Sequence, residues 1–297
     1  MFTRDELLSF MHVEEIDSLL FQGKSLQMGL PRVFGGQVLG QVLNAAVRTV
    51  ADDRHPHSLH GYFLRPGDIS RPIIYEVDPI RDGRSFSTRR VVGKQKGEAI
   101  FNASVSFQIK EPGLSHQYDM PTSVPHFSEL QSDIDYITAL SKKDDSVSVE
   151  IYRAMNLVFD EDIVEFRTPH VAEQIKPGNV TDSYGFWFKF HDGIGDDPIT
   201  HQTLLAFISD KGLMSTALRA HPVSFTTHKI IGASLDHAMW FHDDIKVNDW
   251  IYYHIDSPRS SGARGLNRGS FYNADGVLIA STAQEGLMRV VGKKDGA

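Results

Sequence analysis

Asp210 follows a stretch, Ile199 to Ser209, that carries no formal charge. An ionised carboxylate is costly in such surroundings unless it is paired, and desolvation raises its pKa towards that of a usable general base. The residues themselves leave a second reading open, in which Asp210 faces water near a helix end. Gln284 shares its parity along a strand with Leu278, Ala280, Thr282, Gly286 and Met288, which places it on one face. A slip of one residue would turn Glu285 inward instead, and an ionised Glu is the worse group to bury. We therefore expect Gln284 to point into the core, where its amide must find partners. Ser234 offers a hydroxyl at a strand start, which alone says little.

Other chemistries are weaker. The 14 histidines cluster best in His55-Pro-His57-Ser-Leu-His60 and around His237 and His242. No His-Glu-x-x-His or Cys/His spacing accompanies them, so no metal is expected. No Gly-x-Ser-x-Gly elbow marks a nucleophilic serine. The chain has no cysteine, hence no thiol nucleophile and no disulfide framework. Arg259, Arg264 and Arg268 could meet phosphates or could be a solvated strand face.

The elements that must position these residues are organised around Arg32-Val-Phe-Gly-Gly-Gln-Val-Leu-Gly-Gln-Val-Leu-Asn-Ala-Ala-Val-Arg48, uncharged between its two arginines. Gln37, Gln41 and Asn44 form one narrow polar stripe on an otherwise apolar helix, which predicts a helix buried on nearly every side, wrapped by a sheet. Gly35-Gly36 at its start leaves backbone N–H groups open to a ligand oxygen. A helix and a first strand over 4–22 precede it. After it come strand patterns at 57–65, 72–78, 85–92 and 99–108, separated by turns such as Pro66-Gly67 and Arg81-Asp-Gly-Arg84, as in an antiparallel meander. Residues 112–160, rich in Pro, Ser and Asp, read as a linker with surface helices. Strand patterns return at 163–167 and 184–190. A second uncharged helix then runs from Ile199 through Asp210 to about Leu218, and strands follow at 234–241, 250–254, 263–271 and 277–284.

That is an internal repeat. His60-Gly-Tyr-Phe-Leu lines up with His237-Ala-Met-Trp-Phe at an offset of 177, as does Ile74-Tyr75 with Ile251-Tyr252. Lys96-Gly97 lines up with Asp275-Gly276 at 179, which sets Gln284 opposite Val105. On this alignment His60 and His237 are equivalent and serve the scaffold in both halves. We expect residues 1–111 and 161–297 to be two halves sharing one sheet, joined by the linker 112–160.

Composition excludes several classes. A net charge of -8 gives no sign of nucleic-acid or anionic-membrane binding. No apolar run reaches the length of a membrane span. Neither a signal-peptide pattern nor a Ser-Lys-Leu address is read at the ends, so the expectation is cytoplasmic.

Five blocks carry a resemblance: Arg32-Val-Phe-Gly-Gly-Gln-Val, His60-Gly-Tyr-Phe-Leu-Arg-Pro-Gly-Asp68, Arg81-Asp-Gly-Arg-Ser-Phe86, Leu235-Asp-His-Ala-Met-Trp-Phe-His242 and Ala283-Gln-Glu-Gly-Leu-Met-Arg289. In order and across nearly the whole chain, they resemble the acyl-CoA thioesterase II family. The resemblance implies an α+β double hotdog, two repeats each wrapping an antiparallel sheet around a central helix. It implies hydrolysis of fatty acyl-CoA by direct water attack, without cofactor, by Asp210, Ser234 and Gln284. Ser234 stands where some relatives carry Thr, which keeps the hydroxyl. Gly36 is the expected oxyanion donor and His60 a further substrate-side residue. A homo-oligomer is expected. Two other activities stay open on this fold: an acyl-CoA hydratase or dehydratase, and a non-catalytic acyl-CoA sensor.

Overall fold

Thr3 starts the first helix with a capping box, its hydroxyl accepting from the Glu6 N–H while the Glu6 carboxylate accepts from the Thr3 N–H. In this computed structural model, which describes residues 3–25, 27–144, 147–149, 152–153, 162–171, 181–191, 193–223 and 227–294, the first half comprises α1 (Arg4–Met11), β1 (Glu14–Asp17), β2 (Leu20–Gly23), α2 (Gly35–Val47), β3 (His55–Phe63), β4 (Ile73–Asp82), β5 (Phe86–Gln95) and β6 (Glu98–Gln108). The linker holds a 3-10 turn (Phe127–Glu129) and α3 (Asp133–Ser141). Its residues 145–146, 150–151 and 154–160 lie outside the described residues. The second half comprises β7 (Val164–Arg167), β8 (Ser183–Phe190), α4 (Pro198–Ser209), α5 (Leu213–Arg219), β9 (His228–Ser234), β10 (Asp236–Phe241), β11 (Ile251–Ser261), β12 (Arg264–Asn273) and β13 (Leu278–Lys293).

Among the described residues one antiparallel sheet of 13 strands runs β1-β2-β4-β5-β6-β3-β10-β13-β12-β11-β8-β7, with β9 on the far part of β13. The halves join where β3 pairs with β10, from Tyr62–Asp236 to Ser58–Trp240. The sheet wraps α2 and α4, which pack antiparallel. Glycine permits the approach: a Cβ at Gly36 would overlap the carbonyl oxygen of Phe207, and one at Gly40 would lie 3.1 Å from that of Thr203.

The polar stripe of α2 is consumed by this packing. Gln41 accepts from the Tyr75 hydroxyl at 2.7 Å and donates to the Phe10 and Lys24 carbonyls at 2.6 and 2.8 Å, and Asn44 accepts from the Val13 N–H at 3.1 Å. These bonds tie α1, β4 and the chain flanking β1 and β2 to the buried helix.

The structure corrects the sequence reading in three places. The second central helix does not run to Leu218, because Gly212, at φ +75°, breaks it into α4 and α5. The strand pattern at 234–241 extends backwards as β9, and β13 continues to Lys293. The repeat alignment also shifts. Tyr75 pairs with Phe21 and Gly93, and Tyr253 pairs with Phe186 and Phe271, so Tyr75 matches Tyr253, not Tyr252. By the same register Leu59, not His60, matches His237. One residue of slip in a strand exchanges the faces, and the burial agrees: Leu59 and His237 are buried, while His60 is exposed. The match of Val105 with Gln284 stands, and Gly97 and Gly276 both turn at φ +80°.

Candidate active site where the two central helices meet

Antiparallel packing brings the C-terminus of α4 against the N-terminus of α2. Asp210 is the C-cap of α4, the negative end of a helix, where a carboxylate is disfavoured. Facing it is the positive end of α2. The Gly36 N–H donates to Asp210 Oδ2 at 3.1 Å, and the Gln284 amide donates to Oδ1 at 3.0 Å. Burial pushes the Asp210 carboxyl above its usual range; the Gln284 and Gly36 hydrogen bonds, the charge of Arg32 and the Ser234 hydroxyl pull the other way, in that order. Of these, the influence of the Ser234 hydroxyl is the smallest.

Asp210 and Ser234 line a pocket of about 710 Å³ with Gly35, Phe34, Val38, Phe63, Ile100 and Met214. Its walls are mainly apolar and come from both halves. Gln284 is fully buried behind the carboxylate. Glu285 points the other way and pairs with Arg264 at 2.9 Å, which settles the strand parity. Arg268 is likewise engaged, with Asp256.

Three of the expected residues, Asp210, Ser234 and Gln284, are thus brought together. Gly36 is beside them, but its N–H is spent on Asp210, so it is not free to meet an oxyanion. Gly35, one residue earlier in the same helix turn, lines the pocket, and its N–H donates to no group among the described residues. A Cβ there would stand 2.6 Å from Asp210 Oδ2, so only glycine leaves room for both. His60 is removed from the site: it stands on the outer face of β3 with its ring against Trp240, centroids 5.0 Å apart.

Arg32 was missed as a site residue. Its guanidinium donates to the Gly232 carbonyl at 2.6 Å, tying the entry of α2 to β9, and it lines the pocket. The signal present in the sequence was its place as the last charge before an uncharged run. Lys211, next to Asp210 in the chain, turns away; its ammonium lies 4.6 Å from the centre of the Phe166 ring, and burial lowers the amine to about 8 against the opposing charge of Asp133. Among the described residues no group of three or more His, Asp or Glu could hold a metal, and no described helix is long and apolar enough to cross a membrane.

Two central helices inside one continuous sheet, with an amide-held carboxylate on the floor of an apolar pocket, define a double-hotdog thioesterase. Residues 156–287 match the acyl-CoA thioesterase family and residues 24–108 its N-terminal domain. The chain therefore belongs to the acyl-CoA thioesterase family, enzymes that hydrolyse fatty acyl-CoA to fatty acid and CoA. It is 36% identical to the human acyl-coenzyme A thioesterase 8 over 94% of this chain and 88% of that one. It is 36% identical to acyl-CoA thioesterase 2 of Haemophilus influenzae over 96% and 97%. The crystal structure of an acyl-CoA thioesterase II from Mycobacterium marinum, 33% identical, superposes with a TM-score of 0.76 over 98% of this chain and 99% of that one.

Proposed function

We propose that this protein cleaves fatty acyl-CoA by direct attack of water, with Asp210 as the general base. The observation that carries the reading is the desolvated Asp210 carboxylate, fixed by Gln284 and Gly36 with its remaining lone pairs at a mainly apolar pocket. Asp210 takes a proton from water as its oxygen bonds to the thioester carbonyl carbon. Negative charge then grows on the carbonyl oxygen. The Gly35 N–H, at the positive end of α2, is the donor placed to meet it. As the tetrahedral intermediate collapses, the C–S bond breaks and the thiolate recovers the proton from Asp210. Ser234 orients the water, and Gln284 keeps the carboxylate turned towards it.

Purified protein should release CoA across a panel of acyl-CoA chain lengths, and EDTA should not alter the rate. Rapid quenching followed by intact-mass analysis should find only unmodified protein. An acyl adduct on Asp210 or Ser234 would overturn direct water attack.

We further propose that residues 1–111 and 161–297 act as one unit joined by the linker 112–160, and that the protein is a cytoplasmic homo-oligomer. Exposed Ile231, Val290 and Val291 at the free end of β9 and β13 support assembly. Light scattering and cell fractionation test these two points.

A further inference from the structure

The corrected register sets two rows of inward residues side by side. In the first half Leu59 pairs with Val105, and Val105 with Arg89. In the second half the same places are held by His237, Gln284 and Asn267, the last two directly paired. All six are buried. In the second row His237 Nδ1, Gln284 Oε1 and Asn267 Oδ1 have no hydrogen-bond partner among the described residues, while in the first row no such atom occurs. Buried polar atoms without partners oppose folding, so a row of three of them, absent from its twin, points to a task other than stability. For Gln284 that task is the bond to Asp210. His237 has none assigned.

The one hydrogen bond of its ring among the described residues points to it. Ser209, the last residue of α4 and the neighbour of Asp210, donates its hydroxyl proton to the Ala206 carbonyl at 2.7 Å. His237 Nε2 lies 3.0 Å from the same hydroxyl oxygen. The hydroxyl has a single proton, so for both bonds to exist the imidazole must donate, which fixes the Nε2–H tautomer. On the other side the Tyr253 hydroxyl donates to the Ser209 carbonyl at 2.8 Å. The residue carrying Asp210 into the pocket is therefore gripped by its side chain and by its carbonyl. Burial also lowers the His237 imidazole to about 3, so it stays neutral and cannot exchange the donor for a charge at working pH.

We propose that His237 is a positioning residue for Asp210, holding the last turn of α4 through Ser209 so that the carboxylate meets Gln284, Gly36 and the attacking water at once. This rests on the reading of Asp210 as the base. A misplacement of about 1 Å at a reacting group costs on the order of a hundredfold in rate, which sets the scale.

The test compares His237→Leu, which installs the first-half residue, with His237→Gln, whose amide can reach the place of Nε2, and with Ser209→Ala, alone and combined with His237→Leu. His237→Leu and Ser209→Ala should each lower kcat by about tenfold to a hundredfold with KM little changed. The double variant should be no slower than the worse single one, and His237→Gln should recover most of the rate. Full activity in Ser209→Ala, additive losses in the double variant, or equal losses in the Leu and Gln variants would overturn the proposal. If His237→Leu does not fold, Ser209→Ala and His237→Gln still decide. Asp210→Asn is run in the same assay: if it stays active the general-base reading fails and this inference with it, whereas an inactive Asp210→Asn beside a fully active His237→Leu removes the inference alone.

Discussion

The C-terminal ends of the two central helices are treated in opposite ways. Beyond α2 the carbonyl of Thr49 accepts from the buried guanidinium of Arg89, which also bonds the Thr49 hydroxyl, the carbonyls of Arg81 and Thr88, and the Asp82 carboxylate. A cation at the negative end of a helix is favourable, and this one is fully hydrogen-bonded. The end of α4 instead carries a carboxylate, Asp210, at the wrong end of its own helix and rescued by the N-terminus of the other. On the proposed mechanism one end is built to be stable and the other to be reactive. Duplication of a fold therefore need not duplicate a site; it can free one copy's helix start to serve the other copy's chemistry.

Replacing the group that defines the reactive end should have the largest effect. Asp210→Asn should lower kcat by about 10²–10⁴-fold, the usual worth of a general base, with acyl-CoA binding retained. It should also make the protein more stable at neutral pH. A carboxyl whose pKa is raised by folding contributes stability below its unfolded pKa that is lost as pH rises through the folded one, and Asn removes that loss. Urea unfolding of both proteins at pH 4 and 7 should show the gap opening at the higher pH. Near-normal turnover in this variant would place the base elsewhere.

Making the reactive row resemble the stable one comes next. Gln284→Val should remove most turnover, measured as CoA release, while leaving the urea midpoint unchanged or higher, since a buried amide with an unpartnered oxygen is removed. The reverse exchange, Val105→Gln, should destabilise by about 1–3 kcal/mol and create no activity in an Asp210→Asn background. A Gln284→Val protein that unfolds yet keeps its activity would make the asymmetry a matter of packing.

The smallest effect should come from the rim. Arg32 lowers the Asp210 pKa, so Arg32→Gln should move the acid limb of the kcat profile to higher pH. The base works only when ionised, so activity should be lost earlier on acidification than in the parent protein. A limb that stays in place would mean that Arg32 only ties α2 to β9.

Much of this was legible in the residues. An uncharged helix with a three-residue polar stripe can only be a buried one, and the stripe's partners in α1, β2 and β4 explain why it is polar at all. The parity that turned Gln284 inward was readable because Glu285 was the costlier alternative. What could not be read was the strand register to a single residue. Lining up His60 with His237 matched identical letters, but the sheet matches faces, and the slip hid that His237 replaces a leucine. Nor could the sequence reveal that the Gly36 N–H is already bonded, because that depends on how closely two helices distant in the chain approach.

One catalytic site per chain is expected, its side chains from the second half and its helix start from the first. Calorimetric titration of the purified enzyme with a non-hydrolysable acyl-CoA analogue measures it most directly. One equivalent bound per chain, with the same stoichiometry in Asp210→Asn, is the expected result; two equivalent sites per chain would contradict it.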